Sequence, residues 1–169
     1  MLAGGYGAAP LKFLAKKVSS VKNSTIDFCL GARNKKDLLF IKDLKKISKL
    51  HITTDDGSQG TKGKATDILP NIIKNYNKKK TLVVTCGPEI MEKKVLDFCN
   101  QHKTSCEISI ERYIKCGVGV CGQCAVDGNG ICLCKEGPVV SRQTANKITE
   151  FGFYSRDNRG IKNFCEVPI

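Results

Sequence analysis

The sequence predicts an α/β fold, a parallel sheet flanked by helices and followed by a small, loop-rich cysteine segment. Three observations predict it. Strand-like and helix-like patterns alternate from residue 24 to residue 110, and glycine-rich turns stand where strands would hand over to helices. Beyond residue 110 the spacing of cysteines, rather than hydrophobic periodicity, organises the chain.

Residues 1–10, Met-Leu-Ala-Gly-Gly-Tyr-Gly-Ala-Ala-Pro, read as a glycine-rich turn that opens a helix over residues 11–18. Such a turn leaves backbone N–H groups and the positive end of the helix dipole free for a pyrophosphate, which makes Gly4, Gly5, Gly7 and Pro10 candidate cofactor-binding residues. Only Met1, Leu2 and Ala3 precede the turn, whereas strands usually run about 5–6 residues. The sheet is therefore expected to lack most of its first strand.

Residues 24–30 then read as a strand, 35–46 as an amphipathic helix and 49–54 as a strand. A helix interrupted by Pro70 is expected over 66–76, a buried strand over 81–85, a helix over 88–102 and a last strand over 105–110. In parallel sheets ligands bind at the C-terminal ends of the strands. Two more loops fall there. Asp55 and Asp56 are placed to accept hydrogen bonds from ribose hydroxyls, and Cys86-Gly87-Pro88 starts a helix and brings a thiol towards a nicotinamide. Turn chemistry alone accounts for each loop separately, but three on one rim favour a nucleotide site. Residues 1–110 are accordingly expected to form an NAD-binding domain, and residues 111–169 a cluster-binding domain whose stability comes largely from its metal.

Cys116, Cys121 and Cys124 have the spacing C-x4-C-x2-C, and Cys132 and Cys134 follow on either side of Leu133. Thiolates select iron-sulfur clusters or zinc, and this opening is the plant-type spacing for a [2Fe-2S] centre. Gly117, Gly119 and Gly122 lie between the ligands, where positive φ would turn backbone N–H groups towards sulfur. A zinc ribbon more often shows two separate C-x2-C knuckles, and a C-x-x-C thiol redox pair is a minor alternative. If residues 132–134 form a strand, both cysteines point to one face, so spacing alone leaves the fourth ligand open between them.

Composition bounds the function. With 28 Lys and Arg against 16 Asp and Glu the formal charge is +12, yet the basic residues are scattered and lack the aromatic interleaving of a nucleic-acid surface. No apolar run approaches the ~18 residues that cross a bilayer, and no basic stretch precedes an apolar one at the N-terminus. A soluble, cytoplasmic protein with no nucleic-acid or membrane partner is expected. Its ten cysteines are then reduced thiols, of which Cys29, Cys99, Cys106 and Cys165 read as small buried hydrophobes. Neither His51 nor His102 sits in a catalytic arrangement, and no catalytic acid or base is expected.

Taken together, Gly4-Gly-Tyr-Gly-Ala-Ala-Pro-Leu11, Thr54-Asp-Asp-Gly-Ser58, Cys86-Gly-Pro88 with Met91, Ser109-Ile-Glu111, the cysteine loop and the closing Cys134-x-Glu-Gly-Pro138 carry a family likeness. The chain resembles the electron-transfer subunits of NAD-linked dihydroorotate dehydrogenases, within the ferredoxin reductase-like flavoproteins. The resemblance implies that Cys116, Cys121, Cys124 and Cys134 hold the cluster, Cys132 being an extra; Ile114 stands where a methionine is common. It implies electron transfer between NAD(H) and FAD, then through a [2Fe-2S] cluster to the FMN of a dihydroorotate dehydrogenase catalytic subunit, in pyrimidine synthesis. The family's FAD-binding barrel has no counterpart here, which a late start, a fragment or a split gene would explain, so this chain alone is not expected to be active. Small subunits of ferredoxin:NADP or sulfide-linked flavin oxidoreductases share the same loops, and a zinc-stabilised binding module is the alternative of a different class.

Overall fold

The computed structural model describes residues 1–165, so the end of the cysteine domain as delimited above, residues 166–169, lies outside the described residues. Its main sheet contains β1 (Leu2–Gly4), β2 (Asp27–Ala32), β3 (Lys49–Thr54), β4 (Thr61–Lys62), β5 (Leu82–Cys86), β6 (Ser105–Ser109) and β7 (Val139–Ser141), in the order β4-β3-β2-β1-β5-β6-β7. All neighbours are parallel except β6 and β7. The strand expected to be largely missing is thus present and central. Three residues suffice because Leu2 and Ala3 are held on both sides, Leu2 opposite Cys29 and Thr85, Ala3 opposite Leu30 and Cys86.

Period-two alternation sends successive side chains to opposite faces and so builds two cores. Ala3, Phe28, Leu30 and Val84 pack under α1 (Ala8–Val18) and α2 (Ile41–Ile47), against Ala8, Leu11, Ala15 and Leu44. Leu2, Cys29 and Val83 face the other way, towards α3 (Leu69–Ile73) and α4 (Glu89–His102). Cys124, Val126, Leu133, Val140 and Phe151 belong to that second core, so the cysteine segment rests on the sheet. It also supplies β7, the antiparallel edge strand that pairs Val140 with Ile108.

Two helices are shorter than their periodicity suggested. The Asn34 side chain accepts the Lys36 N–H and closes a 3-10 turn over Lys35–Asp37; Phe40, at φ 58°, then caps α2, so the helix starts at Ile41. In α3, Pro70 occupies the first turn, where its missing N–H leaves no intrahelical bond unmade. Three of the four cysteines read as apolar filler are buried, Cys29, Cys99 and Cys106; Cys165 is half-buried. His51 pairs with Asp27 at 2.6 Å, beside a groove of about 430 Å³ that is also lined by Lys49 and Tyr76. Asp27 and Lys49 are the first residues of their strands, so the groove lies away from the ligand-binding rim.

Where β1 and β5 hand over to their helices the backbones touch. A Cβ on Gly7 would lie 2.0 Å from the Cys86 carbonyl oxygen, and one on Gly4 would lie 2.7 Å from Pro88 Cδ. Gly7→Ala is expected to cost at least about 2 kcal/mol, because the obstacle is backbone and cannot rotate away. Denaturant unfolding of wild type and variant measures it, and equal midpoints would show that the two turns separate freely.

Candidate nucleotide site and cysteine cluster

The strand order reverses at β1, and the crevice between β1 and β5 is where an open α/β sheet takes a ligand. Gly4 ends β1, Gly5 to Gly7 form one 3-10 turn, and α1 begins at Ala8 with Gly7 as its N-cap. Pro10, read as part of the loop, lies instead in the first turn of α1. The Ala8 N–H bonds back into the 3-10 turn, so turn and α1 form one continuous helical start whose first N–H groups lie at the crevice, suited to an anion. Facing them, Cys86 ends β5 and Gly87-Pro88 leads into α4, whose Met91 packs against the same turn within 3.0 Å of the Gly4 Cβ position. The structure therefore brings together Gly4, Gly5, Gly7, Cys86, Gly87 and Pro88.

Asp55 and Asp56 follow β3, two strands away from β1 on the same rim. The Asp55 carboxylate pairs with Lys64 at 2.6 Å and the Asp56 carboxylate accepts the Ser58 N–H at 2.8 Å. The Ser58 bonds hold the Asp56 carboxyl below its usual range. Both acids therefore have a structural role in this turn.

A group that pattern reading missed lies beneath the crevice. Glu92, one turn into α4 and 1% exposed, accepts the Gly87 N–H at 3.2 Å. Burial pushes its pKa up to about 9, with Glu89 and Glu111 adding to the rise while the Gly87 bond and Arg112 oppose it. Burial likewise pushes the Cys86 thiol up, with the Ser109 hydroxyl opposing. Glu92 is therefore protonated when folded and, above its ordinary value of 4.5, ionised when unfolded. The folded state binds the extra proton between those two values, so stability falls as pH rises through this window.

The cysteine loop is built as a sulfur cradle. Gly117, Gly119 and Gly122 have φ of 71°, 76° and 69°. The turns they permit aim Val118 N–H and Cys121 N–H at Cys116 Sγ, at 3.5 and 3.4 Å, and Gly119 N–H at Cys134 Sγ, at 3.2 Å. Cys134 N–H donates to Cys124 Sγ at 3.4 Å. The N–H groups of Cys121, Val118 and Val120, that of Cys121 foremost, push the Cys116 pKa down to about 6 with help from the Cys121 thiol. The Cys116 and Cys121 thiols interact with one another, and the Cys132 and Cys134 thiols both interact with that of Cys124. Among the described residues no three Cys, His, Asp or Glu side chains converge on one point as a single metal ion requires. Cysteine thiols gathered on one loop, with amides directed at sulfur, fit the donor set of a two-iron cluster.

Cys132 and Cys134 do not share a strand. Cys132 caps α5 (Leu133–Glu136) and Cys134 lies inside it, so the helix turn separates them. Both thiols are raised, Cys134 chiefly by the Cys124 thiol and Cys132 chiefly by desolvation, while the Gly119 N–H donated to Cys134 opposes the rise there.

Behind the loop lies a charge cluster that no sequence pattern announces. The Arg112 guanidinium, 3% exposed, forks onto Glu89 at 2.6 and 3.2 Å and reaches Glu150 at 2.7 Å. Glu150 also binds Arg156 at 2.8 Å, and Arg156 binds Asp127 at 2.8 Å. Removing one partner from a buried pair of this kind costs about 3–5 kcal/mol.

The oxidoreductase NAD-binding domain family model matches residues 1–97, and the model described as the iron-sulfur cluster binding domain of dihydroorotate dehydrogenase B matches residues 111–145. The chain belongs to the oxidoreductase NAD-binding family and carries this iron-sulfur binding domain. Relatives named "Probable dihydroorotate dehydrogenase B (NAD(+)), electron transfer subunit" agree with the resemblance seen in the motifs. That of Methanocaldococcus jannaschii is 47% identical over 95% of this chain and 62% of its own length; that of Methanothermobacter thermautotrophicus is 37% identical over 95% and 59%. The chain thus spans about three-fifths of the length of these relatives. A solved NADH-dependent reduced ferredoxin-NADP oxidoreductase is 29% identical with a TM-score of 0.72, over 84% of this chain and 51% of that one. The fold class read from the sequence is confirmed, and the matched domains support an iron-sulfur cluster and NAD(H) as the cofactor types. No helix among the described residues is long and apolar enough to cross a membrane.

Glu92→Gln is expected to flatten the stability profile. Wild type should lose up to about 1.4 kcal/mol per pH unit more than the variant across the window. Urea unfolding at several pH values measures this, and parallel curves for the two proteins would show that Glu92 is ionised in the fold.

Proposed function

We propose that this chain is the nucleotide- and cluster-bearing part of an electron-transfer subunit that serves an FMN-containing dihydroorotate dehydrogenase catalytic subunit, in a cytoplasmic hetero-oligomer. The observation that carries the reading is the two-part site. A glycine turn and a Cys-Gly-Pro turn meet at the switch point of the sheet, and further along the same chain four cysteines, with amides aimed at the sulfurs of Cys116, Cys124 and Cys134, run from the buried Cys124 to the exposed Cys116 and Cys121.

The division of labour follows from the parts. Residues 1–110 would bind NAD(H), with the pyrophosphate at the start of α1 and the nicotinamide near Cys86 and Gly87; the Asp55–Asp56 turn would flank the ribose. Residues 111–169 would hold a [2Fe-2S] cluster on Cys116, Cys121, Cys124 and Cys134. A nicotinamide gives or takes a hydride while such a cluster moves single electrons, so a flavin, FAD held outside this chain, is needed between them. The chain's own residues bind, orient and set charge. The Gly119 N–H and its neighbours stabilise negative charge on sulfur, and the exposed Val118 and Val120 leave the loop open to a partner surface.

The small subunit of a ferredoxin:NADP-type complex is the second reading, favoured by the reduced ferredoxin-NADP oxidoreductase likeness. The dihydroorotate dehydrogenase B match of residues 111–145 favours the first.

Reconstituted with iron and sulfide, the chain should be red-brown and bind NAD(H), yet fail to pass electrons from NADH to a dye until a flavoprotein component is added. Fast turnover of the flavin-free chain would refute the proposed order of carriers. Cys134→Ser should lose most of the visible absorbance per protein, and Cys132→Ser little of it. Matching spectra from the two variants would remove Cys134 from the ligand set.

A further inference from the structure

Three distant stretches of chain meet at one guanidinium. Arg112 lies four residues before Cys116 and reaches Glu89, the residue that follows Pro88 and begins α4. The Glu89 carboxylate also accepts the Gly152 N–H at 2.7 Å. Glu150 accepts from Arg112 on one oxygen, and on the other from Arg156 at 2.8 Å and from the Asp127 N–H at 3.3 Å. Asp127 lies three residues after Cys124, in the same segment. The nucleotide turn is thus tied to the chain before, between and after the cysteines.

We propose that Arg112 is a positioning residue that makes nicotinamide nucleotide binding at the 86–88 turn depend on whether the cysteine loop holds its cluster. The inference rests on the reading above that the chain binds both. Metal binding to such a loop is folding free energy for the segment that carries it. An empty loop loosens residues 111–152, and with them Glu150 and the Gly152 amide. The guanidinium cannot shed its charge, and a buried carboxylate left without it is costly, so the group holds together or comes apart as a unit. Coming apart frees Glu89 and the start of α4, on which the 86–88 turn is built. Linkage makes the effect mutual, so bound nucleotide also tightens the hold of the loop on its cluster at equilibrium.

The test compares the dissociation constant for NAD+ of the iron-loaded and iron-free chain, in wild type, Arg112→Lys and Arg112→Gln. Wild type is expected to bind NAD+ about tenfold more tightly when loaded, within the usual range of coupling between sites. Arg112→Lys keeps the charge but lacks the fork to both carboxylates, so the ratio should fall to about twofold or less at unchanged iron content and visible spectrum. Hydrogen exchange at the Gly152 and Asp127 amides should quicken in the same variant, which keeps the test decisive if Arg112→Gln does not fold. A merely structural role would lower the melting temperature of both forms and leave the ratio intact; a preserved ratio in Arg112→Lys overturns the proposal. A wild-type ratio near one, with cluster and nucleotide both bound, overturns it and leaves the functional reading standing. Failure of the wild-type chain to take up iron and sulfide, or to bind NAD+, would sink that reading and this inference with it.

Discussion

The structure depends on one close approach, the backbone of the Gly5–Gly7 turn lying against the carbonyl of Cys86. There is no room for a side chain between them. Because the turns touch, the start of α1 and the start of α4 open onto the same crevice, and a ligand can meet the helix N-terminus of one and the thiol turn of the other. The constraint also explains why a three-residue strand can sit at the centre of the sheet. β1 is fixed by parallel pairing on both sides and by the turn that follows it, so its length matters less than its neighbours.

The second organising feature is electrostatic. A guanidinium at 3% exposure between carboxylates at 16% and 1% is costly to assemble, and an apolar trio of similar volume would often be at least as stable. What the ions add is direction. The fork of Arg112 accepts one arrangement of Glu89 and Glu150, and so sets how the cysteine segment meets α4. Arg156 repeats the device further out, joining Glu150 to Asp127, while the Gln123 amide reaches the Asp157 carbonyl at 2.9 Å from inside the cysteine loop.

Much of this was legible in the sequence because it is local. The alternation of Phe28, Cys29 and Leu30, the glycine turns and the cysteine spacing each state their structure within a few residues. Misreadings came where a side chain overrode a periodic pattern. Asn34 closes a turn and Phe40 takes a left-handed backbone, so a helix expected from residue 35 begins at Ile41. Cys132 and Cys134 would face one way on a strand, but Leu133 is buried in the core and the segment forms α5 instead. The Arg112 cluster was illegible for another reason. Its members are 23 and 38 residues apart, and an arginine followed by nothing periodic carries no sign of its partners.

The cysteine segment is therefore not an appendage of a finished nucleotide domain. Cys124 is 2% exposed and shares a core with Leu2 and Val83, while Cys116 and Cys121 are exposed. The four thiols thus run from the interior of the sheet's packing to its surface. A group held by them would have one side set by the protein core and the other facing outward, which suits a carrier that must be both rigid and reachable. The same segment closes the sheet with β7, whose pairing with β6 covers an edge that would otherwise present free backbone groups. The strand that completes the sheet begins directly after the helix α5 that carries Cys134, with only Gly137-Pro138 between them, so one short stretch of chain both offers sulfur and closes the sheet.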